Sequence, residues 1–152
     1  MTIEDIIKPT SPMPLSRKTV LHIMFAQHVL ADRLHEVIKP YDLSGEQYNV
    51  LRILRGQKGP ANMSTILERM IAKNSNTTRL IDKLLIKELV TREVCPENRR
   101  KMEVEITPKG LSLLTELDPK IDAYENQFAN NLTEEEMTEF NRLLQKFRGT
   151  NA

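Results

Sequence analysis

NSNTTRLIDKLLIKELVTREVCPENRRKMEVEITPKG, residues 74–110, is the stretch on which the fold turns. In its first half, at about 100° per residue, Leu80, Ile81, Leu84 and Leu85 share one helical face, with Thr77 near the same side. Ser75, Asn76, Arg79, Asp82 and Lys83 fall on the opposite face, and Asn74 or Ser75 is a suitable helix cap. Ile86 also lands on the polar side, where it is expected to cover the start of the next strand. After that the period drops to two. Val90 and Val94 alternate with polar residues, and Met102, Val104 and Ile106 alternate with Glu103 and Glu105, the pattern of strands buried on one face. PENRRK lies between them and predicts a hairpin with Arg99, Arg100 and Lys101 at its tip. Adjacent like charges repel, and no acidic run follows to neutralise them.

Working outward, Ser16 can cap a helix that runs to about Lys39, before Pro40. In LSGEQYNVLRIL, residues 43–54, Ser44 and Gln47 have the spacing of a capping box, and Val50, Leu51 and Leu54 supply an apolar face. RGQKGPAN reads as a loop, and Ser64 opens a short helix with Ile66, Leu67, Met70 and Ile71 inward. Beyond the hairpin, Thr107 and Pro108 restart a helix. Leu114, Leu117, Ile121, Tyr124 and Phe128 follow at spacings of three and four, a seam suited to a partner helix or to an intramolecular bundle. Pro119 lies inside this run and is expected to kink or interrupt it. Thr133 and Glu136 form a second capping box ahead of Phe140, Leu143, Leu144 and Phe147.

The chain of 152 residues is long enough for one domain with a real core. Net charge is only +1, but residues 60–101 hold nine Lys or Arg against five Asp or Glu, whereas residues 110–152 hold four against eight. A basic middle suits a polyanion, although a randomly solvated surface would give the same count. The single cysteine, Cys95, excludes an intramolecular disulfide and argues against a cysteine-based zinc site. No apolar run approaches the ~20 residues needed to cross a membrane. The opening MTIEDIIKPTSPMP lacks a signal-peptide core and reads as a short arm of a cytoplasmic protein.

The order helix, short helix, polar-faced helix, basic hairpin is that of a winged helix-turn-helix, in a mainly α chain with a small β-hairpin wing. A helix fits the major groove of duplex DNA, and a cationic hairpin can reach the adjacent minor groove. On the 75–87 helix, Arg79 can bond a guanine edge bidentately and Asn76 an adenine edge. Ser75, Thr77 and Thr78 lie near the helix start, where backbone N–H groups favour phosphate, and Lys83 is better placed for phosphate than for a base.

Four pieces carry a resemblance to the MarR family (multiple antibiotic resistance regulators): LSGEQYNVLRIL, MSTILERM, the 74–110 stretch, and NLTEEEMTEFNRLLQKF. The middle piece is the specific one, with its Ser- and Thr-rich recognition helix, Lys-x-Leu-Val-x-Arg exit, paired wing arginines and Ile-Thr-x-Lys-Gly restart. The resemblance spans about residues 16–148. It implies one MarR-like domain over 1–152, with dimerisation helices at 16–39 and 108–148 and a winged helix-turn-helix lobe at 44–107. It also implies an obligate homodimer, here joined through Leu114, Leu117, Ile121, Tyr124, Phe128, Phe140, Leu144 and Phe147. Two recognition helices would enter successive major grooves of a pseudo-palindromic operator, with half-sites ~34 Å apart. Arg99 inherits the wing role, with Arg100 structural or phosphate-facing and Lys101 beside it. The chain departs from the family at Glu88, where Gly is usual, and at Asn98, where Asp commonly precedes the wing arginines. The first departure costs about 1 kcal/mol if the backbone is left-handed there, and the second leaves the wing without a salt bridge.

The implied function is a ligand-responsive DNA-binding repressor. The alternative is a winged-helix protein-interaction module that does not touch DNA. Met24, Phe25, Tyr41 and Tyr48 could line a crevice for a small-molecule effector, or simply be core. Cys95 reads as a buried strand-end thiol rather than a redox switch. His28, Asp32, His35 and Glu36 share one helical face, which suits either a metal ion or a plain polar stripe. No Gly-rich phosphate loop, nucleophile with a placed His, or paired carboxylates point to an enzyme, and no cofactor is expected.

Overall fold

The computed structural model describes residues 1–73 and 76–149. Its elements are α1 (Ile3–Ile7), α2 (Leu15–Ile38), a 3-10 turn (Lys39–Tyr41), α3 (Gly45–Gln57), β1 (Ala61–Asn62), α4 (Met63–Arg69), α5 (Thr77–Ile86), β2 (Val90–Cys95), β3 (Asn98–Ile106), α6 (Pro108–Ala129) and α7 (Glu134–Arg148). The three strands form one antiparallel sheet in the order β1-β3-β2.

Most boundaries follow from capping chemistry. Ser44 and Gln47 close the capping box of α3, each side chain bonding the other's backbone N–H at 3.1 Å. Thr133 and Glu136 do the same for α7 at 2.9 and 3.2 Å. Thr107 Oγ1 accepts from the Gly110 N–H at 3.1 Å and donates to the Glu88 carbonyl at 2.8 Å, tying the start of α6 to the end of α5. Gly110 has no alternative there, since a Cβ would stand 2.5 Å from the Leu89 carbonyl oxygen.

Several expectations need correction. The N-terminal arm contains a helix, α1, started by a Thr2–Asp5 capping box and held on α2 by buried Ile3 and a Glu4–Lys18 ion pair at 2.7 Å. Ser16 lies inside α2, whose cap position is Pro14 with no side-chain bond. The expected loop 55–62 ends in β1, with Ala61 opposite Val104 in β3. Asn62 rather than Ser64 caps α4, accepting the Thr65 N–H at 2.9 Å. On that helix Ile66 and Met70 are buried, but Leu67 is half exposed and Ile71 is 84% exposed in the turn that follows. Pro119 sits within α6 without ending it.

One core joins the lobe and the long helices. Val50, Leu51 and Leu54 of α3, Ile66 of α4, Ile81 and Leu84 of α5, and Val90 and Val104 of the hairpin pack with Ile38 of α2 and Leu114, Leu117 and Ile121 of α6. Leu114 and Leu117 are 0% exposed. They and Ile121, which is 7% exposed, are therefore spent largely on the chain's own core, the intramolecular packing that the seam's spacing also allows, rather than on a partner helix. Polar contacts reinforce the same joint. Arg55 Nη1 and Nη2 donate to the two Asp118 carboxylate oxygens at 2.8 and 2.9 Å, and these bonds raise the guanidinium pKa. The Tyr41 hydroxyl donates to Glu116 at 3.0 Å, and Tyr124 donates to the Leu30 carbonyl at 3.0 Å. No helix among the described residues is long and apolar enough to cross a membrane.

Candidate nucleic-acid interface

α5 has the amphipathic division its spacing predicts. Ile81 and Leu84 are buried, Leu80 and Leu85 are half-buried, and Thr78, Arg79, Asp82, Lys83 and Ile86 are exposed. Asn76 is the cap: its side-chain oxygen accepts the Arg79 N–H at 3.1 Å, and the residue is exposed. Thr77 lies on the apolar side, as its spacing predicts, and is only 8% exposed, so its side chain does not stand with Thr78 at the surface expected to meet phosphate. Ser75 lies outside the described residues. Ile86 covers nothing: it is 82% exposed on the same face as Arg79 and Lys83.

The helix ends just before Glu88, where the sequence departs from the family pattern it resembles. Glu88 takes the left-handed conformation usually given to Gly, with φ 59°. Its N–H donates to the Leu85 carbonyl at 2.9 Å and that of Leu89 to the Leu84 carbonyl at 3.0 Å, while buried Leu84 and Leu89 supply the apolar side of this Schellman motif. Lys109 stabilises the turn, donating to the Lys87 carbonyl at 2.9 Å and lying 3.5 Å from the Glu88 carboxylate.

The hairpin differs from the expected six-residue loop. The turn is Pro96 and Glu97 alone, and the cations belong to β3. Val94 pairs with Met102, but Cys95 pairs with Asn98. Arg99, Arg100 and Lys101 thus occupy the bulge opposite a single step of β2. A bulge bends its strand and interrupts the ladder, so the three cations lie outside the regular pairing of β2 and β3. Asn98 keeps a structural role without a salt bridge, its side-chain oxygen accepting the Arg100 N–H at 3.1 Å. All three cations are exposed, and none is ion-paired among the described residues. One contact sets the hairpin beside the polar face of α5: Arg92 Nη1 of β2 donates to Asp82 Oδ1 at 2.9 Å.

Other candidate groups are not assembled. His28 Nε2 lies 3.3 Å from Asp32 Oδ2, but no cluster of three metal-ligating residues exists among the described residues, so His28, Asp32, His35 and Glu36 do not form a cage. Cys95 is half-buried rather than buried. Of the expected crevice residues, only Tyr48 lines the opening of about 470 Å³ between α2, α3 and α6, with Gln27, Leu34, Arg52, Ile71 and Tyr124. Met24 and Phe25 are exposed on α2, and Tyr41 is engaged by Glu116 with Lys120 over its ring at 4.9 Å. Burial raises the pKa of both the Tyr48 and Tyr124 phenols.

The remaining residues expected to join two copies divide. Tyr124 and Phe128 stack edge to face at 5.6 Å within α6. Phe140 and Phe147 are half exposed and Leu144 is half-buried on α7, where with Thr19, His22 and Ile23 of α2 they line an apolar crevice of about 650 Å³.

A short helix leading to a polar-faced helix and a three-stranded wing defines a winged helix-turn-helix protein. The sequence pattern of the MarR family matches residues 43–102, the region just described. MhqR, an HTH-type transcriptional regulator of Bacillus subtilis (strain 168), is 28% identical over 137 residues, covering 90% of this chain and 93% of the relative. The crystal structure of a MarR transcription factor from Planctomyces limnophilus is 30% identical, covers 88% of this chain and 98% of that one, and superposes with a TM-score of 0.69. MepR of S. aureus, solved as a DNA complex, shares the fold with a TM-score of 0.80 over 91% of this chain and 99% of that one, at 19% identity. The chain belongs to the MarR family. It is a DNA-binding transcriptional regulator and not an enzyme.

Proposed function

We propose that the protein works in the cytoplasm as a homodimeric repressor whose hold on a pseudo-palindromic operator is released by a small-molecule effector. The whole chain, 1–152, acts as one MarR-like domain, with 44–107 reading DNA and helices within 16–39 and 108–148 joining two copies. In this reading Arg79 and Asn76 meet base edges in the major groove. Thr78 and Lys83 meet phosphate, and Arg99, Arg100 and Lys101 approach the neighbouring minor groove. The observation that carries it is the cationic bulge, exposed and without an ion-pair partner among the described residues, beside an open polar helix face to which the Asp82–Arg92 bond ties it.

A second copy would cover the half-exposed Phe140, Leu143 and Phe147, together with Val20, Met24 and Phe25 of α2. The effector would enter the crevice beside Tyr48 and Tyr124, which lies between the lobe and the long helices. A ligand there shifts the DNA equilibrium only by binding the released arrangement more tightly.

Selection of bound duplexes from a random pool tests the reading. It predicts a two-fold-related consensus with half-sites about one helical turn apart. A pool that emerges unenriched would favour a winged-helix module that binds protein.

A further inference from the structure

We propose that Asp82 and Arg92 are positioning residues that hold the wing at a set pitch against the recognition helix, so that both reach their grooves together. The proposal rests on the DNA-binding reading above and adds to it a pair that neither residue's own chemistry toward DNA would suggest.

Asp82 stands on the exposed face of α5, between Arg79 three residues before it and Lys83 immediately after. Its carboxylate pairs with neither. It turns instead to Arg92, ten residues along the chain and in the other DNA-facing element, at 2.9 Å. On β2, alternation puts Arg92 on the same side as Val90, which is buried against the core. Arg92 is opposite Val104, the last buried residue on β3 before the tip, and β1 also reaches that rung through Ala61. One rung further out, Glu93–Glu103, β1 pairs for the last time through Asn62; beyond that Val94 is exposed and the two strands run on to the bulge. Among the described residues the ion pair is therefore the outermost side-chain tie between α5 and the hairpin, one rung inside the point where β1 ends. Motion at that root is amplified at Arg99, which is why a modest contact can matter. Each partner's charge is also spent on the other: Arg92 Nη1 is taken up, and the carboxylate on the reading face is neutralised. An exposed pair of this kind is worth at most about a fivefold factor per protomer, and a dimer uses it twice.

The test uses the full chain with a nitroxide on Cys95, the only cysteine, which sits at the outer end of β2. Asp82→Asn and Arg92→Gln are each expected to widen the nitroxide's motion without DNA. Each should weaken operator binding by about three- to tenfold and remove hydroxyl-radical protection of the flanking minor groove, while central major-groove protection stays. The double variant should be no worse than either single. The swapped pair, Asp82→Arg with Arg92→Asp, should restore the narrow nitroxide motion. Unchanged motion in both singles overturns the proposal. So does an affinity loss confined to Arg92→Gln, which would make Arg92 a direct phosphate contact. If no duplex binds at all, the DNA-binding reading fails, while the nitroxide comparison still decides whether the tie holds the wing.

Discussion

The hairpin bulge and the outer face of α7 both present side chains that the fold itself does not use, and their chemistry is opposite. At the bulge, Arg99, Arg100 and Lys101 are exposed cations with no ion-pair partner among the described residues. On α7, Phe140, Leu143 and Phe147 are exposed apolar groups beside a crevice lined by α2. Folding alone explains neither, since clustered cations repel and large apolar groups stay in water at a cost. The first surface suits a polyanion, the second another apolar face. Between them α6 shows the contrast most sharply. Its leucine seam has the same spacing pattern as α7, yet Leu114 and Leu117 are consumed inside the chain.

The largest effect should come from charging the apolar surface. Phe140→Glu with Phe147→Glu is expected to raise the dimer dissociation constant on the order of 100-fold or more, since aromatic anchors dominate such interfaces. Sedimentation would report monomers, and a dimer that persists would break the contrast with α6. Next is Leu114→Ala, which should lower folding stability by roughly 2–5 kcal/mol in thermal or urea unfolding. Below its melting temperature the protein should remain dimeric, which separates the two helices' roles. Arg79→Ala is expected to reduce discrimination between operator and random duplex by about 1–3 kcal/mol per half-site, with little change in affinity for random DNA. The smallest effect is local: Glu88→Gly should stabilise the fold by about 1 kcal/mol, because Gly adopts the left-handed backbone without a Cβ penalty. A loss of stability there would mean that the exposed Glu88–Lys109 contact outweighs the backbone strain.

Helical spacing and capping boxes make α3, α5, α6 and α7 legible in the sequence. The Ser44–Gln47, Thr133–Glu136 and Thr107–Pro108 signals act within one turn and need no tertiary context. What stays hidden is set by packing over distance. The two residues of β1 are too few to show a period, and only Val104 across the sheet makes them a strand. Helical spacing cannot say whether an apolar seam meets its own chain or another, so Leu114 and Phe140 look alike. The wing cations are legible as a cluster, but not as a bulge, because register depends on which residue of the opposite strand is paired. Asp82 and Arg92 each look solvated in sequence, and only their proximity makes them a pair. The Thr2–Asp5 box is a local signal of the same kind, but the five residues of α1 are too few to show a helical period, and the arm reads as irregular in sequence.

The salt dependence of binding to a selected operator tests the central claim most directly. Phosphate contacts release counterions, so the logarithm of affinity should fall steeply and linearly with the logarithm of salt concentration. Arg99→Ala and Lys101→Ala should each make that slope shallower by about one per protomer while preserving the preferred sequence. Slopes identical to that of the unaltered protein in both variants would contradict the account, because the bulge would then not touch the duplex.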